Sequence, residues 1–270
     1  MRLIVIAYAL LFIAGVARAY AQDTTAPSAA PSAAPLETQP AQPSGPVEKP
    51  AVPVPVAKPP VERKLLPVDE GSADPSWVAF RARLLAALKR GDRLTLLAVV
   101  DRNILNALDA PRGIVEFRRH WDLDGKDDRL LRDLSSALFL GSAWYAPAKG
   151  PKLLCAPYVP IKWPLDAVDP YDNGAIVAKD VLVKGAPSHA SETLGALSYD
   201  LIEVRDWEVA DAETRLQQRW IKVRYRERDG YVPVEQIRSA IEPRACFVKE
   251  SGAWRMAEYV IGIEYLGGDK

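Results

Sequence analysis

Arg219-Trp220-Ile221-Lys222-Val223-Arg224-Tyr225 is followed after three residues by Asp229-Gly230-Tyr231-Val232. The first run alternates apolar and charged side chains, the period-two pattern of a half-buried strand, and Asp-Gly is a strong local signal for a tight hairpin turn. The expectation is one hairpin, Arg219 to Tyr225 against Gly230 to Val232, turning at Arg228-Asp229-Gly230. A two-stranded hairpin is marginal in water by itself, so its apolar face needs further strands.

Those strands lie upstream. From Tyr145 onward, short β-prone runs are separated by Pro, Gly, Asn and Asp, as in an antiparallel unit. Leu153 to Val159 is one candidate strand; Ala175 to Lys184, Thr193 to Leu197 and Asp200 to Val204 follow a Pro/Asp-rich loop at 163–174. With the hairpin, five strands fall within about 65 residues, which implies a small barrel over 173–240. Trp207 opens a charged stretch, Asp206 to Gln218, that reads as an exposed loop. After the barrel, Ala245 to Lys249 and Trp254 to Ile263 read as a last hairpin within 241–266.

Before the strands, the period changes to three and four. Asp74-Pro75 is a helix start, with Trp77, Phe80, Leu84 and Leu88 on one stripe and Gly91 as the stop. Asp92 caps a second helix bearing Leu94, Leu97 and Val100, with a weaker continuation at Ile104 and Leu108. A third helix spans Gly113 to Trp121, and Asp127-Asp128 open a fourth with Leu130, Leu131, Leu134 and Leu138, closed by Gly141. Four amphipathic helices must each bury a stripe, so 71–165 is a packed helical layer and the fold class is α+β.

The chain's first residues, Met1-Arg2 and the uncharged run Leu3 to Val16, have the form of a signal peptide over 1–21, with small-residue cleavage sites after Ala19 and after Ala21. Fourteen apolar residues are short of the roughly 20 that cross a bilayer, so a stable membrane span is not expected. Residues 22–70 read as a Pro/Ala-rich linker; the part from Asp23 to Pro67 holds 12 of the 23 prolines, and proline removes amide donors that a helix or sheet would need. From Gly71 to Lys270 the 29 basic and 29 acidic side chains cancel, which disfavours a nucleic-acid partner. Cys155 and Cys246 are the two cysteines; in an exported protein they are either a disulfide pair or two buried thiols.

Val181-Leu182-Val183-Lys184-Gly185-Ala186-Pro187-Ser188, Leu197-Ser198-Tyr199-Asp200, Trp220-Ile221-Lys222-Val223, Asp229-Gly230-Tyr231-Val232 and Ile237-Arg238-Ser239 together resemble a bacterial SH3-type (SH3b) domain in order and spacing. The pattern departs at Leu182, where an Asn is usual, and at Tyr199-Asp200, which replace a turn glycine; these positions bear on ligand preference. Over Asp74 to Gly262 the chain is similar to proteobacterial periplasmic SH3-domain proteins. The helices with the final Phe247-x-Lys249 to Gly252-x-Trp254-Arg255 hairpin resemble an NTF2-like α+β fold. That resemblance implies a sheet made from Leu153 to Val159 and the last two strands, with the barrel inserted; simple succession of helices, barrel and hairpin is the alternative.

Chemistry-bearing motifs are sparse. His120 and His189 are the two histidines and neither has a metal-ligand spacing around it, so no metal and no cofactor are expected. No Gly-x-Ser-x-Gly or phosphate-binding glycine pattern occurs, and Asp166, Asp169 and Asp172 sit in a Pro-rich loop where turn formation is their ordinary role. What the SH3 resemblance implies is recognition by Tyr199, Asp200, Trp220, Tyr225 and Tyr231 on the barrel, where aromatic side chains can line a groove for peptide or glycan; the alternative for Trp220 and Tyr231, which alternate as core-facing strand residues do, is a structural role. The expected function is a non-catalytic, periplasmic cell-envelope protein that binds peptidoglycan peptides or an envelope protein. Two alternatives stand beside it: an enzyme with an NTF2-like pocket near Asp101 and His120, and a structural subunit marked by an exposed apolar patch on the helical layer.

Overall fold

The structure, a computed structural model, describes residues 63–107, 110–214 and 219–263. The signal-peptide segment, the linker up to residue 62, Leu108 and residues 215–218 of the charged stretch lie outside the described residues.

Asp74 accepts the Ser76 N–H at 2.8 Å and Pro75 takes the first helical position of α1, Pro75–Lys89. Its buried stripe is Trp77, Phe80, Leu84 and Leu88. Asp92 caps α2, Arg93–Val99, through the Thr95 N–H. The helices α3, Ile114–His120, and α4, Arg129–Phe139, follow; Leu130, Leu131, Leu134 and Leu138 are buried in α4. Gly141 ends that helix at φ +90, in a place where a Cβ would sit 2.5 Å from the Val68 carbonyl oxygen. Only glycine has both the conformation and the clearance there.

The continuation of α2 past Val99 is a strand, β1, Val100–Leu105, and not helix. Buried Val100 and Ile104 are four residues apart, a spacing that suits one helical turn and two strand repeats equally, so periodicity alone does not separate them. β2 is Ala143–Tyr145, β3 Leu153–Ala156, β11 Arg244–Glu250 and β12 Ala253–Val260. They form one sheet in the order β1-β12-β11-β3-β2, antiparallel except for β1 on β12. Helices α1 and α4 cover one face, and the layer between is a single apolar core. The strand expected over Leu153 to Val159 stops at Ala156: Pro157 has no amide for the ladder, and α5, Tyr158–Lys162, begins at once.

Between β3 and β11 the chain makes a second, seven-stranded sheet. Its strands are β4 Asn173–Ile176, β5 Val181–Lys184, β6 Thr193–Leu197, β7 Leu201–Ala210, β8 Arg219–Tyr225, β9 Arg228–Pro233 and β10 Ile237–Ser239, in the order β10-β4-β7-β8-β9-β5-β6. This sheet is not closed into the barrel expected for 173–240. The first residues of β7 pair with β4 and the rest with β8, so one strand joins two neighbours along successive parts of its length. Three local readings change as well. Ala175 to Lys184 is two strands, broken by a bend in which Asp180 takes φ 54. The stretch Asp206 to Ala210 is strand, not loop, and Trp207 packs against the core of this sheet. The hairpin turns at Arg226-Glu227, with Arg226 at φ 53, while Asp229 and Gly230 pair with Arg224 and Val223 inside the ladder. Gly230 is needed there for close approach, since a Cβ would lie 2.4 Å from a Val183 methyl.

Residues 63–70, assigned by composition to the linker, belong to the fold. Leu65 is buried with Tyr158, Val159 and Trp163, and the Tyr158 hydroxyl donates to the Leu65 carbonyl at 3.3 Å. Burial raises the Tyr158 phenol to about 12.

Cys155 and Cys246 face each other across β3 and β11 and are bonded as a disulfide spanning 91 residues. The expected cost of removing it is roughly 4 kcal/mol in the chain-entropy model. Cys155→Ala/Cys246→Ala should therefore lower the denaturant midpoint of the whole chain, and the same shift should appear for the parent protein in dithiothreitol; equal midpoints would contradict a structural role.

Candidate functional site

The five residues implied by the SH3 resemblance do not share one surface. Trp220 is fully buried, at 0 % exposure on β8, beneath a turn that closes over it. Its indole N–H donates to the Asp211 carboxylate at 2.9 Å, and the His189 ring lies 4.9 Å away, centroid to centroid. Asp211 also accepts the N–H groups of Glu213 and Thr214, at 2.9 and 2.8 Å. These hydrogen bonds, the Thr214 amide first and the Trp220 indole second, lower the Asp211 carboxyl from 3.8 to about 2. Ser188, buried, donates to the Glu213 carboxylate, and the Ala212 N–H donates to the Pro187 carbonyl at 2.8 Å. Ser188, His189, Asp211 and Glu213 thus pin two loops over an indole, and the Ser188 hydroxyl is engaged in its own turn through the Ala190 N–H.

Tyr225 is in the core of the sheet, its ring over Gly195, where any Cβ would meet the hydroxyl at 2.0 Å. Tyr231 is half-buried on the outer side, in register with Lys184 on one neighbour and Lys222 on the other. Tyr199 and Asp200 precede β7, with Tyr199 at φ 61. Along β7 the partner of Trp220 is Val209, so Asp200 and Trp220 are separated by nine residues of extended chain, roughly 30 Å.

The Tyr199-Asp200 corner is occupied by the chain itself. The Leu65 N–H donates to the Tyr199 carbonyl at 2.8 Å, the Leu201 N–H donates to the Arg63 carbonyl at 2.7 Å, and Lys64 pairs with the Asp200 carboxylate at 2.9 Å. Asp200 also accepts the Ser198 N–H at 2.7 Å. Its role in the structure is to seat residues 63–65.

Among the described residues, the interior where an NTF2-like pocket is the alternative expectation is filled by side chains, and Asp101 and His120 are not part of that core. Between helices and sheet, Trp77 packs on Phe80, Phe247 and Trp254 with ring centroids 5.0–5.6 Å apart, and leucines fill the rest. Asp101 accepts the Asn103 N–H at the surface, and His120 is exposed beside Trp121. Among the described residues no three His, Cys, Asp or Glu side chains converge to hold a metal ion, and no helix is long and apolar enough to cross a membrane. Glu258, on β12, has its carboxyl raised above the ordinary range by burial, an effect opposed by the charges of Arg244 and Arg112.

An open apolar concavity lies on the outer side of the helical layer. A groove of about 690 Å³ runs between α1 and α4. Its α1 side is Leu85, Leu88 and Lys89; its α4 side is the stripe Asp128, Leu131, Arg132, Ser135, Ser136 and Phe139. Phe139 is 83 % exposed. The doublets Leu84-Leu85 and Leu138-Phe139 carry the sequence signal for it: two neighbours on a helix point about 100° apart, so Leu85 and Phe139 are left less covered than their partners, while Leu131 is itself buried in the groove floor. Charges around the groove are mostly satisfied, Asp128 by Arg93 at 2.6 Å and Arg132 by Asp127 at 3.0 Å. Lys89 has no ion-pair partner among the described residues.

Comparison of the chain with known protein families, with curated proteins and with solved structures finds no match.

Two expectations follow. Asp200→Ala should speed hydrogen exchange at the Leu65 and Leu201 amides while costing less than about 1 kcal/mol globally, as befits a partly exposed pair; unchanged exchange would mean that residues 63–65 are held by other contacts. For Asp211, a carboxyl held below its unfolded value adds stability above pH 3.8 that is lost as pH falls toward about 2. Urea midpoints of the parent and Asp211→Asn should accordingly differ at pH 7 and draw together toward pH 2, and a gap independent of pH would rule that linkage out.

Proposed function

We propose that this is a non-catalytic, exported cell-envelope protein that binds another envelope protein through its helical layer, with 173–240 an SH3-like module whose sheet stays open. The observation that carries the reading is the apolar groove between α1 and α4, rimmed by polar side chains and ending on an exposed Phe139. Exposed apolar surface of this shape is costly to leave in water and is characteristic of a surface that another molecule covers. Export is supported by the form of residues 1–21 and by the Cys155–Cys246 bond, since disulfides persist in oxidising compartments.

Peptidoglycan peptide is the weaker ligand. A wall-peptide site on the sheet would need open aromatic side chains around a groove, whereas Trp220 and Tyr225 are interior and the Tyr199-Asp200 corner holds residues 63–65. Tyr231 alone of the five keeps a partly open ring without such a cover.

Two measurements on the full chain divide the ligands. Cosedimentation with insoluble peptidoglycan should give no more retention than a linker-only control, and a photocrosslinking residue at position 139, in cells, should give a discrete protein adduct that the same residue at Leu182 does not. Retention on the wall, or crosslinking indifferent to position, would defeat the proposal.

A further inference from the structure

We infer that the occupant of the α1/α4 groove is an amphipathic helix of the partner, carrying an acidic side chain that pairs with Lys89; this rests on the protein-binding reading above. The first argument is geometric. Residues 128, 131, 132, 135, 136 and 139 form one continuous face over the three turns of α4, about 16 Å long, which matches three turns of a helix laid alongside. In its middle, Ser135 and Ser136 are small, between Leu131 and Phe139. Small central residues with bulky ends let a third helix approach at the 8–10 Å typical of packed axes, its apolar ridge entering the valley between α1 and α4.

The second argument concerns the backbone. An extended peptide brings unpaired N–H and C=O groups that must find partners when buried. Both walls here are helices, whose own backbone groups are paired within themselves, and the groove offers no strand edge. A helix arrives with its backbone already satisfied and presents only side chains, the helix-in-groove mode of recognition. The third argument is charge. Asp128 and Arg132 are each committed to a partner of opposite sign, which leaves the Lys89 ammonium as the unbalanced charge at the α1 end of the groove. A carboxylate on the incoming helix complements it, and a second cation there is repelled.

The test uses the full chain and a fluorescently labelled, stapled helix of about three turns with leucines on one face and a single glutamate at one end. Two control probes accompany it, one with lysine in place of the glutamate and one with the same residues scrambled. Anisotropy should show saturable binding of the glutamate probe, at least about tenfold tighter than either control. Lys89→Glu should reverse the preference between the glutamate and lysine probes, and Ser135→Trp, which fills the groove from its exposed side, should weaken both. Near-UV circular dichroism checks that each variant keeps its packing. Equal binding of the scrambled probe, or none of any probe, overturns the helix assignment. So does a dimer in sedimentation velocity that Phe139→Asp dissociates, because the occupant is then a second copy. If the probes fail while a crosslinker at 139 still captures a partner in cells, the helix chemistry is wrong and the protein-binding reading survives; if both fail, so does that reading.

Discussion

Pairing of β3 with β11 is the contact on which the rest of the architecture depends. Strand β3 is buried along its whole length, and it meets β11 in a register that sets Ala245, Cys246 and Phe247 opposite Ala156, Cys155 and Leu154. Without that seam, β11 and β12 would be a hairpin with no sheet to join, and α1 and α4 would lose Phe247, Trp254 and Met256, the far wall of their core. Closing a loop of this length is entropically expensive, and long-range sheet contacts are slow to form. The disulfide sits on the seam and removes most of that cost from the unfolded chain once it has formed.

The same seam explains why the chemistry is divided between two regions of different character. The five-stranded sheet and its helices have a solid aromatic interior, so their available surface is external, along α1 and α4. The seven-stranded sheet spends its conspicuous polar residues on holding itself together: Asp211 and Trp220 under one loop pair, Asp200 and Lys64 at the other end. A Ser, a His, an Asp and a Glu lie within one such cluster, yet each has a structural task in the loops, and the arrangement is a clamp on an indole.

Much of the fold was legible where local chemistry and tertiary packing agree. Asp74-Pro75, Asp92, Gly91 and Gly141 punctuate the helices because cap acceptors, proline and glycine act on the backbone directly, whatever surrounds them. The sheet joining Leu153 to Ala156 with the last two strands rested on resemblance, and the residues alone left it beside simple succession, because nothing local to either segment names its partner. Where several backbone solutions suit the same residues, reading failed. Val100 and Ile104 fit helix and strand; Asp229-Gly230 fits a turn, but glycine is placed in the ladder for clearance against Val183. The alternation of Trp220 and Tyr231 along their strands marks both as core-facing, which holds for buried Trp220 and less for half-buried Tyr231; the cover over Trp220 was not legible, since it takes loops from two distant positions. The groove on the helices was hidden because each leucine stripe was read only for the face it buries.

A segment that leaves a sheet from one strand and returns to it on the adjacent strand leaves its host's geometry indifferent to its length. The entire stretch from Pro157 to Pro243 does this, departing after Ala156 and re-entering at Arg244, directly beside it. Host and guest can then vary on separate evolutionary clocks: the guest can be exchanged, shortened or elaborated at its far loops while β3 and β11 keep their register. Several contacts still tie them, among them the Lys162–Glu70 ion pair, the Gly262 N–H on the Ile241 carbonyl, and residues 63–65, which belong to the host's approach to α1 and yet pair with the guest at Asp200. Any relative of this chain with a different insert would therefore have to change its segment before the first helix at the same time, so covariation should run between two stretches more than 130 residues apart.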